Sequence, residues 1–128
     1  MSPSSNEWLP LEIPRISPEG RWESQAHFDS FSGWFSGHFE ERPLLPGVAL
    51  LALASEVVVK QGLKTKRALF VLGFSKVRFK SIVLPGDTLN ISVAPMPEKP
   101  EARLDFRISS QGEHVIQGYM TVREEGNP

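Results

Sequence analysis

From Val48 to about Gln61 the chain reads apolar on nearly every side, with polar groups only from Ser55 onward. Such a segment forms a helix of roughly four turns that cannot face water and must be wrapped on most sides by other structure. Its longest unbroken apolar run, Val48 to Ala54, is far short of the roughly 20 residues that span a bilayer. The wrapping therefore has to come from the protein itself, and Gly62 is expected to stop the helix.

The remaining sequence supplies the wrapper. Between Arg21 and Ser30, Trp22, Ser24, Ala26 and Phe28 alternate with Arg21, Glu23, Gln25, His27 and Asp29, the period of a half-buried strand. Leu69 to Lys80 ends with Val77 and Phe79 alternating with Lys76, Arg78 and Lys80. Further strands place Leu89, Ile91 and Val93 on one face, then Leu104, Phe106 and Ile108, then Ile116, Met120 and Val122. Pro85-Gly86-Asp87 and Gln111-Gly112-Glu113 are the turns. Pro95, Pro97 and Pro100 call for a loop at a sheet edge rather than a tight hairpin. One early buried helix followed by antiparallel strands implies an α+β domain whose curved sheet wraps the helix. We divide the 128 residues into an extended, proline-punctuated lead-in over 1–20, one domain over 21–125 and a short tail over 126–128.

Composition narrows the function. With 40% hydrophobic and 23% charged residues the chain is an ordinary soluble type. The absence of cysteine excludes a disulfide framework and thiolate metal sites, which fits a cytoplasmic location. Residues 1–20 lack the apolar core of a secretory signal. The net charge of -1 conceals an uneven distribution: no acidic residue occurs between Val57 and Gly86, where Lys60, Lys64, Lys66, Arg67, Lys76, Arg78 and Lys80 supply half of the basic groups. That field can steer an anionic partner; the alternative is a set of solvated residues on a helix end, a loop and one strand face.

The run Phe35-Ser36-Gly37-His38-Phe39-Glu40-Glu41-Arg42-Pro43-Leu44-Leu45-Pro46-Gly47-Val48 delivers a histidine from a glycine-hinged loop to the start of the helix. It resembles the active-site segment of 3-hydroxyacyl-acyl-carrier-protein dehydratases, the aryl-polyene-type branch included. A second segment, Lys76-Val77-Arg78-Phe79-Lys80-Ser81-Ile82-Val83-Leu84-Pro85-Gly86-Asp87-Thr88-Leu89, resembles the same family's basic strand and Pro-Gly-Asp-x-Leu turn. Together they extend the resemblance over roughly Arg21 to Arg123. It implies the hot-dog fold, with substrates carried by acyl carrier protein or coenzyme A; the apolar helix flank and open strand edge that such a sheet leaves uncovered are expected to be closed by a homodimer joined sheet edge to sheet edge. The resemblance also implies fatty-acid or related lipid or polyene biosynthesis.

Dehydration of a 3-hydroxyacyl thioester removes a C2 proton and expels hydroxide from C3, so a base must be paired with an acid that protonates the leaving oxygen. By resemblance, His38 takes the base role, at the mouth of an apolar tunnel on the dimer seam. The acid would be a carboxylate on the helix, and that position reads Ala52. Glu56, one turn later on the same face and about 6 Å along the axis, is the nearest substitute; its other reading is a plain polar residue near the helix end. The first-turn amides near Gly47 and Val48 are free to receive a thioester carbonyl, and Gly47, Val48 and Ala52 form the expected substrate-binding set. His27 and His114 lie on strands without motif context. No metal-ligand spacing, phosphate loop or Gly-x-Ser-x-Gly elbow occurs, so neither metal nor bound cofactor is expected, and nothing points to nucleic acid. Three readings stand: a dehydratase using His38 with Glu56 or water, a noncatalytic acyl or carrier-protein binding subunit, and a hot-dog thioesterase.

Overall fold

The apolar run folds as α1 (Gly47–Lys64), in a computed structural model that describes residues 11–28, 47–84, 86–99 and 102–125. The helix runs past Gly62 instead of stopping there. Its end is a Schellman turn in which Lys66, at φ 61°, takes the left-handed position, the Arg67 amide donates to the Gly62 carbonyl at 2.7 Å and the Lys66 amide to the Leu63 carbonyl at 3.1 Å. Gly62 is needed for a different reason: a Cβ there would lie 2.8 Å from the Arg67 carbonyl oxygen and 2.9 Å from Leu69 Cγ.

Among the described residues six antiparallel strands make one sheet: β1 (Arg15–Ile16), β2 (Trp22–His27), β3 (Ala68–Phe79), β4 (Thr88–Pro95), β5 (Arg103–Ser110) and β6 (Glu113–Glu125). Their spatial order is β1-β2-β4-β5-β6-β3. The connection that contains α1 thus carries the chain from β2 near one edge to β3 at the other, and α1 touches β2, β3, β4 and β5 on the way. Alternation explains the core. Leu89, Ile91, Val93, Leu104, Phe106, Ile108, Ile116 and Met120 are buried on the helix side, with Leu50, Leu53, Ala54, Val57 and Val58 of α1 in the same cluster. Each of the larger side chains contributes about 1.5–3 kcal/mol on burial.

The described part of the lead-in is tied to this body. Leu11 bridges to Ala26, β1 pairs with β2, and Lys64 Nζ donates to the Pro14 carbonyl at 2.6 Å. Arg21 fastens three strands: its guanidinium bonds to Ser92 on β4 and to the Asp105 carboxylate on β5. The expected hairpin at Gln111-Gly112 is present, with φ 53° and 82° at the two central residues, the pair of positive values a two-residue I′ turn requires.

The simple alternation expected for Lys76 to Lys80 does not survive. The pairing of β3 with β6 shifts between Ser75 and Arg78, where Lys76 adopts φ 51°. Gly118 on β6 permits this bulge: a Cβ there would lie 3.1 Å from both Val77 Cα and Phe106 Cε1. Phe74 meets Phe106 edge to face with centroids 5.7 Å apart. The expected wrapping of α1 is also one-sided among the described residues, because Val48 and Leu63 are 63% and 65% exposed and Leu51, Ala52, Ser55, Glu56, Val59 and Lys60 are half-buried along the same stripe.

Candidate functional site

β2 ends at His27, and α1 starts at Gly47. Both ends are anchored. Phe28 is buried and its carbonyl accepts from the Gly86 amide at 2.7 Å, so the turn after β3 is pinned beside the end of β2. At the other end Gly47 starts α1 beneath the ring of Phe79, with a Cβ there only 2.7 Å from Phe79 Cε1. Any side chain at position 47 would displace that ring. The amides of the first helical turn have no carbonyl four residues earlier within the helix, and they sit at the positive end of its dipole.

His38 and the rest of the loop, Glu40, Glu41 and Pro46 among them, lie outside the described residues. Val48, Ala52 and Glu56 follow one another on the outward stripe of α1 at intervals of about 6 Å. Ala52 brings a methyl to the half-buried step where the resemblance calls for a carboxylate. Glu56 is half-buried and faces Lys60 at 3.9 Å, an i,i+4 pair, so an ammonium already competes for its oxygen. This arrangement can bind and polarise a carbonyl at the helix start, but only Glu56 brings an acidic group to the same stripe.

The seven basic residues expected to form one field are divided by the fold. Lys60 pairs with Glu56, Lys64 with the Pro14 carbonyl, and Arg67 with Glu124 at 3.0 Å. Lys66, Lys76, Arg78 and Lys80 are exposed and have no ion pair among the described residues. His27 is exposed at the end of β2 with Nδ1 3.2 Å from Thr88 Oγ1, and His114 is exposed on β6. Among the described residues no group of three or more His, Asp or Glu could hold a metal ion, and no helix is long and apolar enough to cross a membrane.

Sequence reasoning missed two contributors. Phe79, read from the sequence only as one member of an alternating strand end, is 57% exposed and lies against the helix start. The second is the bulge that turns Lys76, whose available signal was a glycine, Gly118, in the middle of an otherwise alternating strand.

A family model for ApeI-like dehydratases, described as ApeI dehydratase, matches residues 15–119. A 3-hydroxyacyl-[acyl-carrier-protein] dehydratase FabZ from Rickettsia massiliae is 41% identical over 130 aligned residues, covering 91% of this chain and 90% of the relative. A FabZ from Clostridium perfringens is 38% identical over 92 residues, and there the match takes in 62% of this chain and 66% of the relative, just under two thirds of its length. Among solved structures, the dehydratase heterocomplex ApeI:P from Xenorhabdus doucetiae aligns with TM-score 0.63 at 24% identity, covering 90% of this chain and 95% of that one. The PaaI protein of E. coli aligns with TM-score 0.73 at 14% identity, covering 98% and 87%. These structural likenesses establish the hot-dog fold.

Proposed function

We propose, from the premise that the chain belongs to the ApeI-like dehydratase family, that it is a dehydratase-like protein acting on 3-hydroxyacyl thioesters borne by acyl carrier protein or coenzyme A. The setting would be cytoplasmic fatty-acid or related polyene assembly. The observation that carries the reading is the family match across 15–119, which takes in the histidine loop and the helix start. In this scheme His38 removes the C2 proton and the amides near Gly47 and Val48 hold the thioester oxygen as it gains negative charge. The C3 oxygen leaves as water once Glu56, directly or through a water, supplies a proton.

Ala52 favours a second reading, a binding subunit in which the acyl site survives and turnover has lapsed or depends on a carboxylate-bearing partner. A thioesterase would need a carboxylate to activate water and meets the same vacancy at Ala52. In either of the first two readings the chain pairs through β3, the last strand of the described sheet, where Phe70 and Leu72 are 44% and 58% exposed. The basic side chains Lys76 and Lys80 would meet the acidic carrier.

Hydration of a short enoyl thioester decides between the two. If only the proton donor is missing, wild type is slow and Ala52→Glu raises the rate by about 10²- to 10⁴-fold, the range of a positioned general acid. If Glu56 already donates, Glu56→Gln cripples the wild type and Ala52→Glu adds little. An undetectable rate in all three, with acyl thioester still bound, refutes the dehydratase reading and leaves the binding subunit.

A further inference from the structure

The face of the sheet turned away from α1 carries a row of side chains that the catalytic reading does not use. Cross-strand pairs run straight over all six strands: Arg15 opposite Glu23, Glu23 opposite Ser92, Ser92 opposite Arg107, Arg107 opposite Gln117, and Gln117 opposite Arg78. Directly opposed residues point to the same face, so these six share the outer surface. At about 4.8 Å per strand, Arg107 stands roughly 10 Å from Arg78 and roughly 14 Å from Arg15.

Two open grooves of about 430 and 530 Å³ flank the middle of this row, and Arg107 lines both. Their walls carry five cations, Arg15, Arg21, Lys76, Arg78 and Arg107, against two anions, Glu23 and Asp105. The face therefore holds a local excess of three positive charges on a chain whose net charge is -1. Asp105 is engaged by Arg21, whereas Arg15, Arg78 and Arg107 have no ion pair among the described residues. The bulge that holds Lys76 at φ 51° turns it toward the second groove, the re-aiming for which such irregularities serve.

We propose that this outer face docks an acidic helix of a partner protein. The spacing selects a helix. Acidic residues at i and i+7 lie on one side of a helix about 10.5 Å apart, matching Arg78 and Arg107. A third, eleven residues further in the opposite direction, returns to the same side about 16.5 Å away, within reach of the long Arg15 side chain. An extended segment repeats its same-face side chains at multiples of about 6.6 Å and misses the first interval. The surface is on the opposite side of the sheet from α1, so the proposal stands whether or not the chain turns over thioesters.

The test is fluorescence anisotropy of the full chain with a synthetic alanine- and glutamine-rich helical peptide bearing glutamates at i, i+11 and i+18. A second peptide has the same composition with its glutamates distributed round the helix. Expected are at least about tenfold tighter binding of the first peptide and loss of about tenfold or more with Arg107→Glu. Arg107→Lys should retain partial binding, and binding should vanish near 1 M salt, where the screening length is about 3 Å. The rate with a small enoyl thioester should be unchanged in Arg107→Glu, which separates failure here from failure of the catalytic reading. Equal binding of both peptides, absence of binding, indifference to Arg107→Glu, or preferential Arg107-dependent capture by phosphatidylglycerol vesicles would each overturn the proposal.

Discussion

Replacing Gly62 by alanine sets two effects of opposite sign against each other. Gly62 lies within α1, where alanine is preferred to glycine by about 1 kcal/mol, so an exposed helix would gain stability. Here the new methyl carbon would stand 2.8 Å from the Arg67 carbonyl oxygen and 2.9 and 3.1 Å from Leu69 Cγ and Cδ1. Carbon–oxygen contacts settle at about 3.3 Å or more, so the first overlap is roughly 0.5 Å. The oxygen cannot retreat cheaply, because the Arg67 amide is bonded to the Gly62 carbonyl at 2.7 Å. Nor can Leu69 swing outward, since it is 5% exposed and part of the core. Overpacking of this kind costs about 1–3 kcal/mol, and weakening the turn's hydrogen bond adds about 1 kcal/mol. After the propensity gain the net loss is about 1–3 kcal/mol. Urea unfolding followed by circular dichroism should show a lower midpoint at an unchanged slope. The melting temperature should fall by roughly 3–6 °C per kcal/mol for a chain of this size. A Gly62→Ala protein as stable as wild type would refute the claim that this glycine serves packing rather than helix termination.

Arg21→Met should lower stability by about 1–2 kcal/mol, since it releases charge-assisted hydrogen bonds that clamp β2, β4 and β5. In a cycle with Asp105→Asn the coupling should be about 0.5–1.5 kcal/mol, and strict additivity in urea melts would show that the clamp is idle. Leu72→Glu together with Phe70→Glu, both at exposed positions of β3, should give a folded monomer in sedimentation if that edge is the dimer seam. An unchanged sedimentation coefficient would move the seam elsewhere.

Local pattern made the elements legible because periodicity records which side of an element faces the core. The run from Val48 to Gln61 announced a buried helix, and the alternations through Leu89–Val93 and Leu104–Ile108 announced strands whose inward residues are the buried ones observed. The glycine hairpin at Gln111-Gly112 was legible for the same reason, since positive φ at successive residues is a local demand. Of the proposed site the sequence offers the chemistry through its resemblance, a histidine loop, a helix start and an alanine at the step expected for an acid, and of these the described residues include only the helix start and Ala52. Periodicity does not say who the neighbour is. Gly62 looked like a stop, and its actual constraint, the backbone of Arg67 and the side chain of Leu69, exists only once the chain has turned back. Phe79 read as one member of an alternating strand end and became the cover of Gly47 because β3 ends beside the helix start. The basic run looked like one field until three of its members found partners in Glu56, Pro14 and Glu124. The arginine row over the outer face is assembled from β1, β2, β4, β5, β6 and β3. By itself, then, the sequence determined the helix, the strand faces and the chemistry on offer, all set by interactions within a few residues. Tertiary structure alone decided which charges are free, which ring guards the helix and which side chains line up across the sheet, because those depend on pairings between residues distant in the chain.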